Sequence, residues 1–456
     1  MPAAPADATS DAADAAGPSG AEPSATEPRA TGPSTTESPA TEPSADRAAR
    51  LRTAVRETVG GLPAAFWWLW TATLINRLGG FVVTFLSLYL TIDRGYSAAY
   101  AGLVAALFGL GGAIAALLGG VLADRVGRRP TLLGAQVLTA LATVALGFAD
   151  GQLVIATVVF LVGLSNNAAR PAISAIVADV VPAADRVRAF SLNYWAVNIG
   201  FAASAAVAGL LAVHGYLLLF LADAATTLLC AGVVFARVPE TRPAAVAPAG
   251  AGAGAAAPPV GLGRVFRDRR FMALVGLTFL LALVVQQGST TLAVTMGRAG
   301  LSTTQYGLVV SVNGLLIVLL QIPVTRLLQG RDRGPLLLVA GLLTGWGFGL
   351  TTLAGSSALA YAGTVVIWTV GEIVQAPTCN GMVAELAPAD ARGRYQGVYS
   401  LAWSAASFLG PAVGGLLLEH PGHGTLWYVC AVLGMVAGGG YLVLGRRVDA
   451  ARRLAA

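Results

Sequence analysis

The stretch GGVLADRVGRRP (Gly119–Pro130) decides how this chain is read. Four charges, Asp124, Arg125, Arg128 and Arg129, follow directly on a long apolar run, with Gly119, Gly120 and Gly127 set among them. Elsewhere charge is scarce. Of 456 residues 55% are hydrophobic and 11% charged, against roughly 25% charged in a soluble domain. Lipid rather than water must solvate much of this surface.

Working outward from that stretch, apolar segments long enough to cross a hydrocarbon core of roughly 30 Å recur along the chain. Twelve spans are predicted: 64–90, 97–122, 130–149, 152–178, 190–213, 215–237, 269–292, 303–326, 335–355, 358–383, 394–418 and 424–446. Every backbone polar group in lipid needs an internal partner, so these spans must be helices. The abundant Gly and Ala suit close helix–helix approach in a bilayer.

All basic residues are Arg, and they alternate by loop. Arg47–Arg56, Arg125/128/129, Arg186/188, Arg237 to Arg270, Arg331/333, Arg392/394 and Arg446 to Arg453 mark one side, whereas the other holds only Arg94 and Arg298. The positive-inside rule places both termini in the cytoplasm and makes the quoted stretch the cytoplasmic turn after the second span. The net charge of +6 then reflects topology rather than nucleic-acid binding. Residues 1–60, rich in Ala, Pro, Ser, Thr and Glu, lack the features of a signal peptide and cannot bury enough apolar area to order, so a disordered cytoplasmic tail is expected. The segment PETRPAAVAPAGAGAGAAAPPVGLG reads as a flexible linker, 239–266 in all. It divides a six-helix bundle (61–238) from a second one (267–447), with a short cytoplasmic tail at 448–456.

The halves resemble each other. At a shift of 206, ADVVPAADRVRAF (178–190) lies over AELAPADARGRYQ (384–396), Pro171 over Pro377 and Gly209 over Gly415. At a shift of 205, Gly102, Gly109, Arg128 and Pro130 fall on Gly307, Gly314, Arg333 and Pro335. The expected fold is all-α and integral to the membrane, with twelve transmembrane helices in two pseudo-symmetric six-helix halves. Such repeats around a midplane cavity are a transporter architecture.

Read as G-x-L-A-D-R-x-G-R-R, the opening stretch resembles the loop motif between helices 2 and 3 of the major facilitator superfamily (MFS). PETR (239–242) resembles a second motif of that family. The resemblance covers residues 60–450 and is nearest to the twelve-helix drug:proton antiporter branch. It implies that Gly120, Asp124, Arg125, Gly127, Arg128 and Arg129 form a conformational latch, with Asp179 as a partner. Arginines alone would satisfy topology, but topology does not require Asp124 or the glycines. LLQGRDRGP (327–335) has no acid where Asp124 sits, so a one-sided latch is expected. Two departures weaken the antiporter assignment. The antiporter arginine of helix 4 is replaced by Val159, and the helix-5 glycine–proline motif is degraded to Gly200-x-x-x-Ser204-Ala205-x-x-Ala208-Gly209.

A charge within a transmembrane helix is costly and points to function. Arg77, Arg170, Asp223 and Glu372 stand out. The resemblance implies that helices 1, 4, 7 and 10 line the cavity, and their polar stripes give the expected substrate-cavity residues: Asn76, Arg77, Asn167, Arg170, Gln286, Gln287, Trp368 and Gln375. Trp403 is added as an aromatic wall. Glu372 is read as the proton-coupling acid, or else as half of a salt bridge with Arg77 or Arg170. Asp223 is either a second coupling acid or a structural partner of Arg77 or of a loop.

The leading expectation is a secondary transporter moving a small organic molecule by alternating access, through proton-coupled efflux. The alternatives are proton-coupled uptake of a small, anionic nutrient, or a transport-inactive receptor or scaffold. No nucleophile–base set or metal-ligand spacing is present, and Cys230, Cys379 and Cys430 are scattered in apolar runs, so neither an enzyme nor a cofactor or metal site is expected. The expected partners are a small-molecule substrate, protons and the bilayer, with no nucleic acid. The chain is read as a monomer in the plasma membrane.

Overall fold

The computed structural model describes residues 60–182, 185–241, 262–328, 330–388, 392–419 and 424–455. Within them Gly120 and the side chains of Ala116, Leu117, Asp124, Val187, Leu262, Arg392, Gly393 and 451–455 are outside the described set. The expected disordered tail and most of the expected linker likewise lie outside the described residues.

The described residues form twelve helices long and apolar enough to cross a membrane. We label them α1 (Ala64–Asp93), α2 (Ala98–Arg125), α3 (Arg128–Gly147), α4 (Gln152–Val180), α5 (Arg186–Leu211), α6 (Tyr216–Arg237), α7 (Arg269–Arg298), α8 (Thr303–Leu328), α9 (Arg333–Gly349), α10 (Ala358–Leu386), α11 (Arg392–Glu419) and α12 (Thr425–Ala455). Side-chain caps start several of them. Ser97 accepts from Tyr100 N at 3.1 Å at α2, and Asp268 accepts from Arg270 N and Phe271 N at 3.1 Å each at α7. Helix α12 runs on to Ala455, beyond the expected tail boundary, because RRVDAARRLA is rich in helix formers. A short helix, Leu262–Arg267, occupies the end of the expected linker.

Two spans are not continuous. Helix α1 breaks after Leu78 and restarts at Phe81, with the Gly79–Gly80 pair between. Gly79 lies so close to α6 that an added Cβ would overlap the Thr226 side chain. Helix α7 changes to a 3₁₀ turn over Gln286–Gly288 and resumes at Thr291.

The two halves meet along a seam of glycines. Helix α2 packs on α11 and α5 on α8. An added Cβ on Gly102 would stand 3.0 Å from Gly415 Cα, and one on Gly307 would stand 3.0 Å from Gly209 Cα. These are the residues that the internal repeat superposes, so the two contacts are copies of each other. Backbones this close gain dispersion contacts that side chains would prevent. Hydrogen bonds across the seam include Ala99 N to Glu419 Oε1 at 3.0 Å, Thr304 Oγ1 to Gly209 O at 2.8 Å and Tyr306 OH to Thr84 O at 3.2 Å. All lie toward the end of the bundle opposite the arginine-rich loops. The apolar core follows the same division. One cluster spans both halves near the seam, around Phe85, Tyr306 and Phe348, and separate clusters fill each half toward the arginine-rich end.

Candidate functional site

A cavity of about 300 Å³ lies between the halves. Helix α1 contributes Asn76 and Arg77, α4 contributes Asn166, Asn167 and Arg170, and α6 contributes Asp223. The second half supplies Asn313 and Ile317 from α8 and Glu372 from α10. Phe108 and Phe201 add apolar wall.

The four membrane charges foreseen in the sequence thus come together, in different states of engagement. Asp223 is buried and accepts hydrogen bonds from Phe81 N and Val82 N, both at 3.1 Å. It caps the restarted segment of α1 from a neighbouring helix, giving Val82 N its acceptor and adding to the Gly79 O that Phe81 N already reaches at 2.7 Å. Glu372 accepts one hydrogen bond, from Asn313 Nδ2 at 3.1 Å, and the same amide reaches Thr369 Oγ1 at 3.1 Å. Among the described residues Glu372 forms no ion pair with Arg77 or Arg170, and neither arginine has a hydrogen-bond or ion-pair partner. The salt-bridge alternative for Glu372 is therefore not the arrangement found. Asn76 is tied to Thr227 Oγ1 at 3.3 Å and Asn167 to Gly163 O at 2.9 Å.

At the arginine-rich rim the Arg128 guanidinium pairs with the Asp179 carboxylate. Gly127 stands at φ 119°, a conformation that L side chains rarely adopt. This turn aims the next two backbone N–H groups at Glu240, whose oxygens accept from Arg128 N at 3.0 Å and Arg129 N at 3.1 Å. Arg129 donates to Phe235 O and lies 5.0 Å over that ring. Arg125 is exposed. The Asp124 side chain and Gly120 are outside the described residues. The second half repeats the device: Arg333 pairs with Glu385 at 2.6 Å, and Arg333 N donates to Asp449 Oδ2 at 3.0 Å. The second half thus carries its own arginine–acid contacts at Arg333, Glu385 and Asp449 although no acid stands at the position matching Asp124.

The family model of the Major Facilitator Superfamily matches residues 69–411 and 374–455. The chain belongs to this superfamily. Among similar major facilitators, the MFS-type transporter YqjV of Bacillus subtilis is 26% identical over 373 residues, covering 80% of this chain and 89% of that protein. Multidrug resistance protein MdtH of Cronobacter sakazakii is 29% identical over 373 residues, covering 80% and 90%. The fold also matches a crystal structure of a peptide transporter, POT, in complex with alafosfalin, with a TM-score of 0.69 at 17% identity, covering 86% of this chain and 96% of that one. The protein is a multi-pass membrane protein of this superfamily.

Several expected cavity residues of this major facilitator lie elsewhere. Trp368 is buried and stacks on Phe348 with centroids 5.1 Å apart, so it is core. Gln287 is consumed within the second half, its amide donating to Leu283 O of α7 at 2.8 Å and Gly410 O of α11 at 3.0 Å. Gln286 lines a separate pocket of about 60 Å³ with Ser407 and Pro411. Gln375 is buried away from the cavity, and Trp403 packs against the second-half core. The break in α7 rotates its polar residues toward α11, which is why that helix drops out. Sequence reasoning missed Asn313, for which an amide in mid-span was the available signal. It also missed Glu240 as a cap, although PETR was noticed.

Proposed function

We propose that this protein is a proton-coupled secondary transporter of the plasma membrane that exports a small organic molecule by alternating access. The observation that carries the reading is a cavity between two pseudo-symmetric halves, holding an acid, Glu372, with no arginine partner. An acid so placed is a natural site for a proton to bind and leave, because neutralising it removes the cost of a buried charge. Similarity to multidrug resistance proteins supports export. The arginine bias places the rim of Arg128 and Arg333 in the cytoplasm, along with both termini. With the halves joined at the opposite end, this conformer then faces inward. In the outward-facing state the rim residues Asp124, Arg125, Gly127, Arg128 and Arg129, with Gly120 and Asp179, act as the latch. Uptake is the second reading, favoured by the two arginines without partners in the cavity.

The test uses inside-out vesicles energised to an acidic lumen, a pH dye and a panel of compounds. Export coupled to protons through Glu372 gives dye-reported proton release on adding a transported compound, lost in Glu372→Gln. Release that survives in Glu372→Gln at wild-type amplitude overturns the assignment of the coupling site.

A further inference from the structure

We propose that the cargo is a small zwitterion, with a carboxylate held by Arg170 and Arg77 on the first-half wall and an ammonium group held by Glu372 on the second. This rests on reading the cavity as the transport site and adds the chemical class of what enters it.

The charges lining the cavity are Arg77, Arg170, Asp223 and Glu372, two of each sign, so the site is neutral as a whole. The signs are not evenly spread. Asp223 sits on the same half as both arginines and is already committed to two backbone N–H groups of α1. The first-half wall therefore carries one net positive charge. The second-half wall carries Glu372, one negative charge, whose hydrogen bond comes from a neutral amide. Arg170 is exposed and Arg77 half-buried, both lining the cavity, and neither has a hydrogen-bond or ion-pair partner among the described residues.

Unpaired charges at membrane depth are expensive, and a ligand that pairs them recovers part of that cost. A carboxylate fits a guanidinium with two parallel N–H···O bonds. A cation at the same wall would meet net positive charge, and an anion lying across the cavity would meet Glu372. Like-charge contact of this kind is how a site rejects the wrong partner. A molecule with both ends charged, in the opposite order to the walls, gives each group a partner and leaves the sum neutral. The volume, about 300 Å³, is at the low end for small-molecule sites. Phe108, Phe201, Val83, Val162 and Ile317 line the space between the charges, so the body of the cargo is apolar. Glu372 then serves two occupants in turn, a proton or the cargo's ammonium group, which is a direct means of exchanging one for the other.

The experiment measures thermal stabilisation of the purified full-length protein by matched sets built on leucine, phenylalanine and 5-aminovaleric acid. Each set holds the free amino acid, its methyl ester (a cation) and its N-acetyl derivative (an anion). In the wild type at least one zwitterion should bind roughly tenfold tighter than both of its relatives, the scale of one lost charge pair. Arg170→Gln should erase the preference over the ester alone, and Glu372→Gln the preference over the N-acetyl form alone. Arg170→Lys, which keeps the charge, should restore most of the first preference and guards against a folding defect. Tighter binding of an ester or an N-acetyl form in the wild type overturns the proposal. So does stabilisation by no zwitterion, or equal loss of all three ligands in either variant. Adding the best binder to proteoliposomes with a pH dye separates the two readings. Zwitterions that bind without moving protons leave the site intact and overturn coupled transport. Cations or anions that bind and move protons leave transport intact and overturn the zwitterion.

Discussion

The two halves of this transporter agree where they touch each other and disagree where they face the cavity. Gly102 against Gly415 and Gly307 against Gly209 are copies under the internal repeat. So are the rim pairs Arg128–Asp179 and Arg333–Glu385. The cavity charges have no such copies: the repeat places Ala376 where Arg170 sits, and Asn166 where Glu372 sits. Duplicated residues build the contacts between and beneath the helices, and the unduplicated ones make the walls chemically different. The lesson is that a repeat search separates scaffold from site within a single sequence.

The comparison can be broken first at the seam. Gly102→Leu should force the halves apart at the closed end, since overpacking costs about 1–3 kcal/mol even where neighbours can shift. Cysteines placed at Ala99 and Glu419 should then cross-link at least roughly tenfold more slowly, the rate equivalent of about 1.4 kcal/mol. Gly307→Leu should shift the same cross-link by a similar factor if the two contacts are equivalent, and an effect at only one of them breaks the symmetry.

The cap on α1 gives the next largest effect and has no partner in the second half. Asp223→Ala strands Val82 N and leaves Phe81 N with Gly79 O alone, a loss of about 1–3 kcal/mol for the buried group left unsatisfied. The melting temperature of the purified protein should fall by several degrees, and Asp223→Asn, which keeps one acceptor oxygen, should recover most of it. An unchanged melting temperature in Asp223→Ala would remove the structural role of this acid.

At the rim, Arg128→Ala and Arg333→Ala should both slow transport at equal membrane abundance, with the larger loss at Arg128 because that side also carries the Asp124 motif. Equal losses would reduce the motif to the pair it shares with the second half. The smallest effect is expected at Trp403→Phe, which should change ligand affinity less than about threefold, since the ring packs in the core rather than on the cavity wall.

The twelve spans were legible because a bilayer allows few alternatives to an apolar helix, and the four cavity charges because their cost makes each one conspicuous. Which face of a helix looks inward was not. Gln287 and Trp368 belong to polar stripes as plausible as that of Arg170, but a 3₁₀ turn in α7 and the stack on Phe348 turn them into an α7–α11 contact and core. Those outcomes depend on packing between distant segments, which no local pattern encodes. Asn313 escaped for a related reason, because it lies on α8, which packs closely on α5 at Gly314 beside the cavity. The rim was half legible: Asp179 was named as a partner of the motif without the residue it pairs with, Arg128, being singled out, whereas the matching Arg333–Glu385 pair was overlooked for want of an acid at the Asp124 position.

The glycine seam also bears on how such a protein changes its trade over generations. Its closest approaches are backbone on backbone, so they do not depend on which side chains line the chamber beside them. Selection can exchange Arg170, Glu372 or Asn313 for other residues without disturbing those contacts. A single shape-changing frame can in this way be inherited by descendants that carry unrelated goods.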